Sequence, residues 1–431
     1  MPNLLALLFL LAGVTASSTS SSSSPCTQNC HVMCSEPVCV QDCVAKCQSA
    51  LSHTGQPWFQ LEHIQSFAEG TQITGSDTPS KPKSRVVYFT TLDGKVYRYN
   101  AVSNHMKVMY KLSAHAIDMR NGKGLYDIAF HRDFHKNGKV YLHYATYPPN
   151  DSNDRYRDHD NVIVELESSG LGMDFVREIK RIPQYTTQRS GGWTKMGLRE
   201  GFSSRKVWLY TAVGGNKEEI VSRNEGAPAL SSIYAIAQPE DRTQIEERVW
   251  ASGIQDPIDC DASVFKADRI QCLIEDSRGN RHVQSLRKGY NYGSDDFVQS
   301  CFGKACRNQY SMLASRDALV SFEATECPVR SLQMYTGHKM RNYQLSMFMT
   351  RDACYDSRLK QFNSTEILRI YRDSSAGVYK TIVMPTNMLD DMMVNTTLVG
   401  GDKLDDFYIA GYSMRSGEFG LYRIIPIKAA E

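Results

Sequence analysis

The chain carries twelve cysteines, an even number that suits full disulfide pairing in an oxidising compartment. Six of them crowd into one short stretch: Cys26, Cys30, Cys34, Cys39, Cys43 and Cys47. Their spacing is C-x3-C-x3-C on either side of Ser35-Glu36-Pro37-Val38. Residues four apart share one face of a helix, with a rise of about 6 Å. The spacing predicts two short helices over residues 26–50, with Pro37 at the turn between them. Antiparallel folding of the two cysteine stripes nests the pairs Cys34–Cys39, Cys30–Cys43 and Cys26–Cys47. Zinc ligation is the rival chemistry, but metal pairs more often use two-residue gaps. Such a hairpin is too small for a core, so its disulfides must hold it.

Other residue types offer weaker chemistry. Asp151, Asp154, Asp158 and Asp160, with Asn150 and Asn153, form an acidic loop whose oxygens suit calcium. No D-x-D-x-D-G pattern is present there, so a solvated hairpin loop is the better reading. His131 and His135 flank a strand turn and are expected to make local hydrogen bonds. Arg120, Lys123, Arg155 and Arg157 read as a basic surface edge. Asn150, Asn363 and Asn395 each open an N-x-S/T triplet, the acceptor for N-linked glycans.

These groups need elements to position them. The run Leu4 to Val14 is apolar and ends in Val14-Thr15-Ala16, which reads as a secretory signal peptide over residues 1–16. The run is short for a span, which needs about 20 residues, and no other segment approaches that length. Residues 17–25 are nearly all serine, a flexible spacer. Forty-nine basic and 47 acidic residues leave a net charge of +2, without the footprint of a nucleic-acid binder. From residue 58 to 428, short β-branched and aromatic runs alternate with Gly, Asn, Asp and Pro turns. Val86 to Thr90 and Lys95 to Tyr99 flank Asp93-Gly94, a hairpin signal. Similar runs recur at Val140, Val162, Val207, Ser232, Ile270, Gln344, Ile367 and Phe407. Many short strands at near-even spacing mean an all-β sandwich, barrel or propeller; in a propeller, roughly 370 residues would divide into six four-stranded blades of about 60.

Several segments resemble the glucose/sorbosone dehydrogenase family, and within it the hedgehog-interacting-protein-like members. The strongest runs from Gly124-Leu125-Tyr126-Asp127-Ile128-Ala129-Phe130-His131 to Phe134, then Asn137-Gly138-Lys139-Val140-Tyr141. A second joins Trp250-Ala251-Ser252-Gly253, Asp256-Pro257, Cys260, Cys272 and Gly289-Tyr290-Asn291-Tyr292-Gly293. The closing stretch from Asp406 to Ile424 is similar to the family's last blade. The resemblance implies a six-bladed β-propeller with a Cys260–Cys272 pair and further cysteines Cys301 and Cys306, read as a pair. Cys327 and Cys354 are then left for each other.

The family's dehydrogenases use pyrroloquinoline quinone (PQQ) with calcium, a histidine base and arginines on the quinone carboxylates. Here the base position falls on Arg189 of Arg189-Ser190-Gly191-Gly192, and a guanidinium stays protonated. No other histidine lies between His159 and His282. The family's G-D-G-G turn matches Ala212-Val213-Gly214-Gly215, which puts Val213 in place of a carboxylate. Its Arg-Asn pair before a proline matches Gln255-Asp256, which is wrong for an anionic quinone. The expectation is a secreted, catalytically inactive binding module with no cofactor and an extracellular protein ligand. The hedgehog-interacting-protein-like members reach their ligand partly through an acidic loop residue. The corresponding loop here, about residues 216–230, is shorter and differs, with Glu218, Glu219 and Glu225 as nearby carboxylates that do not match that residue. A PQQ-dependent sugar dehydrogenase with a rearranged site, and a structural extracellular or particle-surface protein, are the alternatives.

Overall fold

The computed structural model describes residues 59–68, 71–79, 85–149, 157–185, 191–196, 207–214, 231–238, 245–254, 256–262, 269–276, 278–290, 292, 318–335, 343, 346–356, 361–363, 365–372, 379–384, 393–400, 407–414 and 417–426. The cysteine hairpin, the leader and the serine spacer lie outside these residues, as do Cys301 and Cys306.

The strands form six antiparallel four-stranded sheets. Blade 1 holds Ile73–Asp77, Val86–Thr91, Lys95–Asn100 and His105–Lys111. Its Asp93-Gly94 turn is the predicted hairpin, with Gly94 at φ 88° where a side chain would be strained. Blade 2 holds Leu125–Phe130, Lys139–Thr146, His159–Ser168 and Met173–Gln184; blade 3 holds Thr194–Met196, Val207–Val213, Ser232–Gln238 and Glu246–Ser252. Blade 4 holds Asp256–Ala262, Arg269–Glu275, Arg281–Arg287 and Val320–Phe322. Blade 5 holds Val329–Met334, Met347–Arg351, Glu366–Arg372 and Tyr379–Met384, with a small hairpin, Cys354–Asp356 and Gln361–Asn363, between its middle strands.

Blade 6 is built from both ends of the described chain. Met393–Gly400, Phe407–Ser413 and Phe419–Pro426 supply three strands, and Phe59–Phe67 pairs with Phe419–Pro426 as the fourth. That pairing closes the ring.

The core is a ring of six apolar clusters, one at each blade interface. Leu125, Ile128 and Leu142 meet Val96 and Tyr88 between blades 1 and 2. Tyr141 and Ile163 meet Leu209 and Tyr234 between blades 2 and 3. Trp208, Tyr210 and Trp250 meet Ile270 and Cys272 between blades 3 and 4. Leu273 and Val283 meet Met347 and Met349 between blades 4 and 5. Phe348 and Ile367 meet Phe407 and Leu398 between blades 5 and 6. Tyr408 and Leu421 meet Val87 and Phe89 across the closure. Cys260–Cys272 links directly opposed residues of the two inner strands of blade 4, and Cys327–Cys354 ties the entry of blade 5 to its extra hairpin. Among the described residues no helix is long and apolar enough to cross a membrane.

Phe59 anchors the closing strand. It is 1% exposed and packs its ring 5.4 Å from Tyr343 and 6.3 Å from Phe348. Phe59→Ala should cost about 3–5 kcal/mol in denaturant melts, the range for deleting a buried ring. Its exposed neighbour Gln60, changed to Ala, should stay within about 0.5 kcal/mol of the parent.

Candidate functional site

The six inner strands face the propeller axis, and their sequences carry Asp, Ser, Thr and Asn among apolar residues. Five of them break register with their neighbour, between Ile73 and Gly75, Leu125 and Asp127, Pro257 and Asp259, Val329 and Leu332, and Val394 and Thr397. A β-bulge re-aims side chains, and polar groups of these strands line the axis. The cavity they surround is lined by Thr74, Gly75, Ser76, Tyr126, Asp127, Gly192, Trp193, Lys195, Ile258, Asp259, Arg330, Ser331, Gln333, Asn395 and Thr396, among others. Every blade contributes.

The lining carboxylates are committed to the backbone. Asp127 accepts N–H bonds from Ile128 and, across the blade interface, from Thr194, each at 2.8 Å. Asp259 repeats the arrangement with Cys260 and Leu332 at 2.8 Å. Asp77 does so with Thr78 and Phe130, again at 2.8 Å. Asp261 accepts from Met334 at 2.8 Å, and the Ser331 hydroxyl oxygen from Leu398 at 2.8 Å. Burial pushes the Asp127 carboxyl well above its ordinary value, against the Thr194 and Ile128 bonds, with Asp259 adding to the rise. Burial likewise raises Asp259 to about 7, opposed by the Leu332 bond and the Lys195 charge and helped by Asp261.

The lining cations are also engaged. Lys195 lies 3.8 Å from Asp261, and Arg330 donates to Asp352 at 2.8 Å. No histidine lines the cavity among the described residues. His143 sits behind it, with Nδ1 2.9 Å from the Thr194 hydroxyl and its ring edge-on to Tyr126. The cavity volume is about 90 Å³, small beside the ~300–1,000 Å³ of ordinary small-molecule pockets.

The residues singled out in sequence fall as follows. Arg189, Gln255, Asp151, Asp154, Arg155, Glu218, Glu219, Glu225 and Asn150 lie outside the described residues. Val213 is fully buried in the apolar cluster between blades 2 and 3, away from the cavity lining. Asp256 opens the inner strand of blade 4 and accepts the Gly191 N–H at 3.1 Å, so it tethers the segment that follows Arg189. Two members of the acidic loop turn to cations. Asp160 is fully buried between Arg157 at 2.5 Å and Arg181 at 2.7 Å. Asp158 pairs with Lys123 and sits 3.1 Å from His159 Nδ1. Both are already paired with side-chain cations, and no group of three or more metal-binding side chains occurs among the described residues.

The basic edge is corrected in part. Lys123 is fully buried rather than on the surface, held between Asp118 at 3.0 Å and Asp158. A loop sequence does not reveal that two carboxylates from separate segments converge on one ammonium. Burial, with the Lys123 charge, holds the His159 imidazole below its usual value, so it is neutral. His131 Nδ1 is 3.0 Å from the Asp133 N–H and 2.8 Å from Asn137, a local turn role. Asn363 lies on the small hairpin of blade 5, and Asn395 on the inner strand of blade 6.

The family profile described as Glucose / Sorbosone dehydrogenase matches residues 82–363. The chain belongs to that family. The soluble aldose sugar dehydrogenase of Escherichia coli in its apo form shares the fold at a TM-score of 0.59, with 14% identity over 86% of this chain and 100% of that one. The PQQ-bound aldose sugar dehydrogenase of Streptomyces coelicolor gives 0.55, with 14% identity over 86% of this chain and 99% of that one. A putative oxidoreductase (glucose dehydrogenase) from Thermus thermophilus gives 0.56, with 15% identity over 85% of this chain and all of that one. No curated protein matches the chain in sequence.

The described residues do not fit the quinone and calcium that family dehydrogenases use. The lining cations that an anionic quinone would need, Lys195 and Arg330, already face Asp261 and Asp352. A calcium ion would meet carboxylate oxygens whose lone pairs hold N–H donors, which turn positive dipole ends toward it.

Gly75 makes room for Asp127. A Cβ at Gly75 would lie 2.2 Å from Asp127 Oδ1 and 2.7 Å from its Cα. Gly75→Ala should lose about 1–3 kcal/mol by overpacking in thermal or urea melts. Gly172→Ala, whose added carbon meets only the Met109 carbonyl at 3.6 Å, should not. Asp259 also gives stability a pH dependence. Its folded pKa stands above the unfolded value, so the native state holds the extra proton between pH 4 and 7. Its contribution therefore falls as pH rises through that window. Asp118 and Asp158 are held low, so their pairs stay intact above pH 5, whereas the neutral His159 opposes the trend below its ordinary pKa. The drop in melting temperature from pH 5 to pH 8 should be smaller in Asp259→Asn than in the parent. An unchanged drop would show that Asp259 carries no such titration.

Proposed function

We propose that this member of the glucose/sorbosone dehydrogenase family is a secreted, non-catalytic binding module that presents one propeller face to an extracellular protein ligand. One observation carries the reading: the axial lining offers backbone-clamped carboxylates and paired cations, and no imidazole among the described residues. Sugar-hydroxyl oxidation requires a base with a pKa near neutrality that is open to the substrate. Asp259 is raised to about 7, but each of its oxygens holds a backbone N–H donor, from Cys260 and Leu332. Val213, where the family places a carboxylate, is packed in apolar surroundings and supports the same reading. The signal-like leader and paired cysteines support an extracellular setting. The hedgehog-interacting-protein-like assignment within the family rests on the resemblance around Asp256-Pro257 and Cys260.

The second reading is quinone-dependent sugar oxidation, favoured by the family membership itself. One assay separates the two. Purified full-length protein incubated with PQQ and calcium should give no aldose-dependent dye reduction above a protein-free control. Turnover that disappears in Arg189→Ala would establish the enzyme and overturn the binding-module reading.

A further inference from the structure

We infer that Asn395 carries an N-linked glycan that stands over the mouth of the axial cavity. The inference rests on the secreted reading above. Asn395-Thr396-Thr397 is an acceptor triplet, but it falls on the inner strand of a blade, where a regular ladder would turn alternate side chains into the narrow channel. The strand departs from that ladder at this point. Register slips between Val394 and Thr397, and Asn395 takes a left-handed backbone conformation, φ 53°. The bulge turns the Asn395 side chain outward: it is exposed, yet it still lines the cavity. A residue both exposed and cavity-lining sits at the opening.

The posture is fixed from below. Asp352, 2% exposed, accepts the N–H of Asn395 at 3.1 Å, the N–H of Thr396 at 3.0 Å and the Thr396 hydroxyl at 2.7 Å. Arg330 completes that carboxylate's set and reaches the Asn395 Oδ1 at 3.5 Å. The side-chain contact uses the amide oxygen, while Nδ2, the atom that takes the sugar, makes no hydrogen bond among the described residues. Transfer occurs on the extended chain before folding, so the Thr397 hydroxyl bond to the Ile73 carbonyl at 3.2 Å does not block it. The folded site then has only to accommodate the sugar, and the exposed bulge does. An oligosaccharide rooted there would shield Arg330 and bar large molecules from the cavity mouth.

The test is expression of the full chain in a eukaryotic secretory host, with glycopeptide mass spectrometry of the medium. Enzymatic deglycosylation in heavy-oxygen water should convert Asn395 to labelled Asp in most molecules. Thr397→Ala and Asn395→Gln should each lose one glycan step on a gel. Phenylglyoxal should modify Arg330 several-fold faster in Thr397→Ala than in the glycosylated parent. Secreted protein with a bare Asn395, whether or not Asn150 or Asn363 is occupied, would overturn the inference and leave the secreted reading intact. Protein that stays in the cytosol would overturn both. Full occupancy without protection of Arg330 would overturn the shielding role.

Discussion

Six sheet edges converge on one axis, and no further strand is available to pair with them. Each inner strand therefore presents N–H groups toward the axial channel. An unpaired buried N–H costs as much as a lost hydrogen bond. The chain meets this demand with short acidic and hydroxyl side chains that reach from one blade to the next: Asp77 to Phe130, Asp127 to Thr194, Asp259 to Leu332, Asp261 to Met334 and Ser331 to Leu398. Each bond satisfies a donor and fixes the register of neighbouring blades. The apolar clusters supply attraction at the six interfaces, but they are non-directional; the axial bonds set the spacing.

That arrangement bears on the chemistry. A carboxylate that closes the ring, with an N–H donor on each oxygen, presents less open lone-pair surface to a metal or a substrate. The family scaffold is intact here, as its fold likeness to bacterial aldose dehydrogenases makes plain. Fold and family do not by themselves carry activity. Asp256, read in sequence as a charge in the wrong place, instead holds the Gly191 peptide.

Much of the fold was legible in the sequence because the middle strands of the blades are buried on both faces. Val140 to Ala145, Val162 to Leu166 and Val207 to Ala212 are apolar runs broken only by His143, Glu165 and Thr211, and each lies in a strand. The inner strands were harder to see. Ile73-Thr74-Gly75-Ser76-Asp77 and Asp256-Pro257-Ile258-Asp259-Cys260-Asp261 carry the residues of turns, since their polar positions serve neighbouring blades rather than water. Asp127 had one visible signal, a lone acid inside the apolar run from Leu125 to Phe130. Lys123 had none, because its burial depends on Asp118 and Asp158, which reach it from separate segments. Phe59–Phe67 was missed as a closing strand because its partner lies at the far end of the chain.

The last of these has a consequence for biosynthesis. Because the first described strand completes the sixth blade, the ring cannot shut until Phe419–Pro426 has been synthesised. Until Phe419–Pro426 leaves the ribosome, Phe59–Phe67 has no template, and the interface faces of blades 1 and 6 stay bare. Contacts of such long sequence separation form slowly. Nascent molecules must therefore pass through an open arc that displays unpaired edges, a state that chaperones would have to guard from self-association.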